Sequence, residues 1–396
     1  MFTGVLLILL SSACGPNDKQ VDDSGSISAI DGVDVPEGTT DGAPDGDGDG
    51  ETDGDDADDA DGASPDGGLD TGEDTGEEPL EPDPPLEGFI GSPCDTDLDC
   101  PYEGGVCLTE GFPDGHCSAA CDLYCPDSDG FPVTFCVAGD ALPDPGLEGG
   151  WCVSRCSFGS YPAGGCRDAY GCTVESRHTE PGTETYSCMP GEGTDLSACH
   201  QELVDRGIGF EPTVRTIDFP EDRPDKECEI IDPVWVESPV FGVDLKYYDG
   251  EVTPRVLAAC DMAHSLADTI EDVAPHGVSA LRHIGTYNCR MIGGTDMLSE
   301  HSFATAIDIF GFEFDDGRLW TLEDHWEHDT SSPTTDAGQF LYEAAHRWYD
   351  DWVWNIILTP NYNLAHDNHF HVDLKEGFHD LSMTSSRYIG PAMYVD

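Results

Sequence analysis

The sequence predicts an α+β fold for its C-terminal part: a small mixed or antiparallel sheet with flanking helices, preceded by a disulfide-rich region and an unfolded acidic linker. Three observations predict it. From about residue 227, helical spacing and two-residue alternation of apolar residues share one region, without the regular repeat of a doubly wound sheet. Twelve cysteines crowd into 94–188 among glycine, proline and aspartate. The stretch 15–88 has no aromatic residue and no cysteine.

Residues 1–14, "MFTGVLLILLSSAC", join a short apolar run to small residues ending in a cysteine. The run is too short to span a bilayer and sits where an export signal would. It reads as a lipoprotein-type signal with Cys14 as the lipidated residue; the alternative is an ordinary signal peptide in which Cys14 is incidental. The membrane is then contacted through a lipid anchor only, and the chain is exported to the cell envelope. Setting Cys14 aside leaves 16 of the 17 cysteines. An even number in an exported chain reads as a set of disulfides.

Residues 15–88 carry 26 acidic side chains against one lysine. Too little apolar surface is available there to offset the entropy of ordering, so a disordered acidic linker is expected. A flexible chain of that length has an end-to-end distance of about 45–50 Å, which charge repulsion lengthens. Asp45-Gly46-Asp47-Gly48-Asp49-Gly50 imitates the start of a calcium loop, but the twelfth position is Asp56, not a bidentate glutamate, and no helical pattern flanks it. Of the net charge of −65, the linker supplies −25, leaving −40 on the rest of the chain. Such a surface repels phosphate backbones and excludes nucleic acid as a partner.

Residues 89–190 read as one or two small modules held by bridges rather than by a core. Cys117-x3-Cys121-x3-Cys125 approaches zinc-ligand spacing, but the spacing is irregular, and an oxidising compartment favours disulfides. A connector follows at 191–226, then a domain over 227–380 and a tail over 381–396.

In that domain Thr253-Pro254 reads as an N-cap followed by a first-turn proline, with Val256, Cys260, Ala263, Ala267 and Ile270 at helical spacing. A second helix is expected over 336–351, with Phe340, Leu341, Ala344, Ala345 and Trp348 as its apolar face. Strands are expected over 278–286, 305–312, 353–358 and 369–374. Four cysteines, Cys199, Cys228, Cys260 and Cys289, allow three pairings. A bridge at Cys289 would hold the backbone of the adjacent Arg290.

Two short motifs carry the chemistry. In "HFHVD", alternation along a strand presents His369, His371 and Asp373 on one face while Phe370 and Val372 enter the core. In "SEHSFATAIDIF", Asp308 lies on a face with Ala306 and Phe310, and His301 sits in the preceding turn. Should these strands be neighbours, two imidazoles and a carboxylate converge with a fourth position open, the ligand count of a catalytic zinc site. His325, His328 and His346 are the candidates for a second metal site, outweighed by ordinary surface or half-buried roles.

The blocks "CEIIDPVWV", "TPRVLAACDMAHSLADTI", "GTYNCR", "LSEHSFATAIDIFGF", "FLYEAAHRW" and "LTPNYNLAHDNHFHVDL" resemble, in order, the extensin-like C-terminal domain of bacteria, from about Cys228 to Leu374. That domain is similar to the zinc D-Ala-D-Ala carboxypeptidases and endopeptidases and to the hedgehog signalling domain. The resemblance implies His301, Asp308 and His371 as zinc ligands, His369 as a catalytic residue beside the metal, and Arg290 as the residue that steadies substrate. His366, Asp373 and Ser299 are expected as supports around the ligands. It implies amide hydrolysis, with peptidoglycan or another wall polymer as the partner. One departure stands out: many of these peptidases keep a glutamate base three residues before the last histidine ligand, where this chain has Asn368. A binding module without catalysis is the alternative that Asn368 keeps open.

Overall fold

The computed structural model describes residues 87–383, apart from 163 and 216. The signal segment with Cys14, most of the acidic linker, the Asp45–Asp56 loop and nearly all of the tail lie outside the described residues.

The cysteine-rich part contains β1 (Val106–Leu108), β2 (His116–Ser118), β3 (Ala120–Cys121), β4 (Thr134–Ala138), β5 (Gly150–Ser154), β6 (Tyr170–Ser176) and β7 (Glu184–Pro190). They form three small antiparallel sheets, β1-β2, β3-β5-β4 and β6-β7. Six bridges staple them: Cys94–Cys107, Cys100–Cys117, Cys121–Cys136, Cys125–Cys152, Cys156–Cys172 and Cys166–Cys188. Bridges alone do not hold this part. Phe135, Val137, Val153 and Phe158 are buried in a hydrophobic cluster that continues into the C-terminal domain. Phe158 stacks on Phe210 at 4.5 Å, and Arg155 meets the buried Glu211 at 3.3 Å.

The stretch expected to be a connector is structured. It holds α1 (Ala198–Asp205) and β8 (Phe210–Pro212). Ser197 caps α1, its hydroxyl accepting from the His200 N–H. β8 joins β9 (Pro233–Glu237) and β11 (Arg255–Ala259) in an antiparallel sheet ordered β11-β9-β8, while β10 (Asp244–Tyr247) goes to a larger sheet.

The helix expected from Thr253-Pro254 begins later. Residues 255–259 are β11, and α2 runs over Cys260–Val273. The reason is burial on two sides. Val256 and Ala258 enter the main core, while Leu257 and Ala259 pack with Ile230 and Ala304. Alternating burial on opposite faces is what a strand provides, and the 256/260 spacing is common to both patterns.

The remaining elements are β12 (Val278–Gly285), β13 (Ala306–Phe314), β14 (Leu319–Thr321), α3 (Leu322–His325), α4 (Asp336–Asp350), β15 (Ile356–Leu358), β16 (Phe370–Asp373) and β17 (Asp380–Ser382). Thr335 caps α4, its hydroxyl accepting from the Gly338 N–H at 3.0 Å. The expected apolar face of α4 is buried throughout.

A seven-stranded mixed sheet, β10-β12-β13-β16-β15-β17 with β14 also on β13, organises the domain. Pairs β10–β12 and β15–β17 are parallel, the others antiparallel. Ile307, Ile309, Phe312, Phe370 and Val372 bury completely in the core that α2 and α4 share. The helices are tied together by Arg347, whose fork meets Asp272 at 2.7 and 3.0 Å, and by the Trp348 indole N–H, which donates to Asp272 at 2.9 Å. Asp308 and His371 lie on the opposite, open face. No helix among the described residues is long and apolar enough to cross a membrane.

Candidate metal centre

β13 and β16 pair antiparallel with Asp308 directly opposite His371, Ile307 opposite Val372 and Ile309 opposite Phe370. Since alternate side chains share a face, burying the Ile/Phe and Ile/Val pairs places Asp308 and His371 together on the other side. His301 arrives from a 3-10 helix over Glu300–Phe303, which ends in Ala304 at φ 51°. That left-handed residue, uncommon for anything but glycine, turns the chain into β13 so that His301 looks back at Asp308.

The three candidate ligand atoms converge. His301 Nε2 lies 3.2 Å from both Asp308 Oδ1 and His371 Nδ1, and His371 Nδ1 lies 2.9 Å from Asp308 Oδ1. Tetrahedral zinc with bonds of about 2.0–2.1 Å requires donor atoms about 3.3 Å apart, so movements of a few tenths of an ångström would complete the site. The outer nitrogens are committed as metal-binding histidines require. His301 Nδ1 donates to the Thr286 carbonyl at 2.9 Å, and His371 Nε2 donates to Asp373 at 2.9 Å. The donor set fits a zinc ion.

His369 stands beside this cluster, with Nε2 3.5 Å from Asp308 Oδ1 and Nδ1 2.7 Å from Asn368 Oδ1. With Asn368 accepting from Nδ1–H, Nε2 carries the lone pair. Burial, with the Asp308 charge opposing, lowers the His369 pKa, and the neighbouring His371, His301 and Arg290 lower it further. His366 packs on the His369 ring at 5.2 Å and is pushed to about 3, by burial first and then by its charged neighbours. Burial raises the Asp308 carboxyl, yet the pull of His301 and His371 outweighs it and holds it well below the usual range. His371 is opposed by burial but raised to about 9 by hydrogen bonds to Asp308 and Asp373.

Arg290 is exposed and has no ion pair among the described residues; its charge is felt at His366 and His369. Its backbone is fixed by the Cys228–Cys289 bridge and by Ser302, whose hydroxyl donates to the Arg290 carbonyl at 2.8 Å. Ser299 is buried at the start of the 3-10 helix, and its side chain does not cap it. Ser302, not singled out in the sequence, links this helix to the Arg290 backbone. Thr286 was also missed: a backbone acceptor fifteen positions from His301 leaves no mark in residue type.

The two carboxylates nearest in sequence are engaged elsewhere. Glu300 pairs with Lys375 at 3.3 Å and accepts from Thr305, and Asp367 faces His328 at 3.7 Å. The histidines weighed for a second site are not gathered. His325 accepts from the Thr321 N–H, and His346 packs on the Tyr342 ring. The last four cysteines pair as Cys199–Cys260 and Cys228–Cys289.

Fold and cluster together define an α+β domain with a histidine–aspartate centre on an open sheet face. Residues 197–383 match the family described as Extensin-like protein C-terminus, which supports an extensin-like C-terminal domain over that stretch. The match begins about thirty residues before Cys228 and takes in α1 and β8, in keeping with their pairing into the domain. No curated protein and no solved structure matches the chain.

Proposed function

We propose that this domain is a zinc-dependent amide hydrolase of the cell envelope, acting on peptidoglycan peptides in the manner of the D-Ala-D-Ala peptidases. The observation that carries the reading is the convergence of His301 Nε2, Asp308 Oδ1 and His371 Nδ1 within 3.2 Å of one another, each imidazole anchored through its other nitrogen. When bound, zinc would supply an activated water and a Lewis acid for the scissile carbonyl.

The chain's own groups do the rest. His369, neutral and oriented by Asn368, holds its Nε2 lone pair beside the cluster and can take a proton there, later giving it to the leaving amine. Arg290 offers an exposed guanidinium fork to a substrate carboxylate. Asp373 keeps His371 in the tautomer that leaves Nδ1 free to bind. Pairing of all sixteen described cysteines supports an oxidising, exported setting, and the Leu10–Cys14 sequence supports lipid anchorage.

A second reading rests on one observation. Asn368 stands where related peptidases keep their glutamate and cannot act as a base, which favours a wall-binding module that holds zinc without cutting. Metal analysis combined with peptidoglycan digestion, on the wild type and on His369→Ala, separates the two. Stoichiometric zinc with product release that His369→Ala abolishes supports the hydrolase. Stoichiometric zinc without product from either protein overturns it in favour of the binder.

A further inference from the structure

A cavity of about 320 Å³, sharing no residue with the His301–Asp308–His371 cluster, is walled by β4, the β7 strand start, the loop around Tyr124 and, after β8, Thr213 and Val214. Two of its sides are fixed by the bridges Cys121–Cys136 and Cys125–Cys152. Its volume is at the small end of the ~300–1,000 Å³ range of ligand clefts, room for one ring of a longer polymer.

Besides Arg155 Nε, which faces Glu211 at 3.3 Å, two buried polar groups in its wall have no hydrogen-bond partner among the described residues. They are the Thr185 hydroxyl, on a residue only 4% exposed, and Arg177 Nε. Leaving such groups unmade is costly, so ligand oxygens that reach them would recover a contribution the free protein lacks. The Arg177 guanidinium carbon sits 5.1 Å from the ring centres of both Tyr124 and Phe135. Tyr124 is 72% exposed at the rim, a flat apolar ring beside hydrogen-bonding groups.

Charge narrows the ligand class. Arg177 is paired with Glu180 at 3.2 Å and Arg155 with Glu211 at 3.3 Å, so no bare cation awaits an anion. A chain of net charge −65 repels anionic ligands at long range. The wall holds Arg155 and Arg177 together with Asp127 and Glu184, so it has no net charge with which to select an ion of either sign, and a cation without oxygen atoms has nothing to offer the Arg177 Nε–H. A neutral molecule rich in hydroxyl oxygens, with an apolar C–H face to lie on Tyr124, satisfies every condition.

We propose that this cavity binds one unit of a neutral saccharide, with Tyr124 as the stacking platform and Thr185 and Arg177 Nε as the hydrogen-bonding groups. The site is independent of the metal centre and of its proposed chemistry.

Calorimetric titration of the disulfide-intact chain tests it, using chitotetraose, cellotetraose and maltotetraose, with tetragalacturonate and tetralysine as charged comparators. At least one neutral tetrasaccharide should bind saturably, and Tyr124→Ala and Thr185→Val should each weaken it about tenfold. Because the Thr185 hydroxyl has no partner, Thr185→Val should melt no lower than the wild type, which separates lost binding from lost folding. The proposal is overturned if no neutral tetrasaccharide binds at millimolar concentration. Tighter binding of either charged oligomer, or neutral binding unchanged in both variants, overturns it as well.

Discussion

His371 Nδ1 lies 2.9 Å from Asp308 Oδ1, in residues directly opposite one another on adjacent antiparallel strands. The relationship is held from behind, because Ile309 and Phe370 form the next opposed pair and are fully buried. The site therefore rests on the core, not on a loop.

On the proposed reading, removing either member should abolish zinc binding. Asp308→Ala and His371→Ala are expected to lose zinc by more than the ~10–100-fold that an outer partner typically contributes, while retaining the circular dichroism of the fold. Zinc content after equilibrium dialysis, measured against the wild type, checks this. Full zinc retention in both variants would mean that these side chains do not share an ion.

Asp373 acts one step further out. Its carboxylate receives the His371 Nε2–H at 2.9 Å, so Asp373→Asn should weaken zinc binding by about 10–100-fold without abolishing it. Competition with a chelator of known affinity gives the ratio, and an unchanged constant would leave Asp373 a role in packing alone.

Stability should depend on His116, a buried residue of β2. Burial, aided by the Arg167 charge, pushes its pKa from 6.5 to about 3. The unfolded chain takes up the proton first, so the stability carried by neutral His116 is complete above pH 6.5 and drains away as pH falls towards 3. At pH 5 the loss is about 2 kcal/mol relative to pH 7.5. Denaturant melts of wild type and His116→Leu at the two pH values should show the smaller difference in the variant.

Trp348 is completely buried, 6.0 Å from the Phe370 ring, and Phe370 immediately precedes His371. Trp348→Ala should cost about 3–5 kcal/mol and, by loosening β16, weaken zinc binding too. Denaturant unfolding with the bridges intact and a parallel zinc titration read both effects. Lost stability with unaltered zinc affinity would show that β16 holds its place without the indole.

How much of this was legible in the sequence depends on which residues carried a period. The two-residue alternation of "HFHVD" announced a strand with His369, His371 and Asp373 on one side, and burial of Phe370 and Val372 bears out that orientation. The apolar stripe of α4 was equally legible. The start of α2 was not, because Val256 and Cys260 satisfy a helix and a strand alike until the partner strand β9 is known. Nor were α1 and β8: their stretch is polar, and its structure comes from pairing with β9 and from the Cys199–Cys260 bridge. Disulfide partners were undetermined because four cysteines admit three arrangements and only the fold chooses. At the site, the side chains were legible, Asp373 among them, and the Thr286 anchor was not, since a backbone carbonyl could belong to any residue.

The bridges Cys199–Cys260 and Cys228–Cys289 overlap, so every peptide bond between 199 and 289 is spanned by a cystine. Scission by a protease anywhere in that interval, which includes β8 to β12, leaves the fragments covalently joined. The centre at His301, Asp308 and His371 would stay covalently attached to the cysteine-rich part after such a wound, and reductant would be needed as well as the cut to break that link.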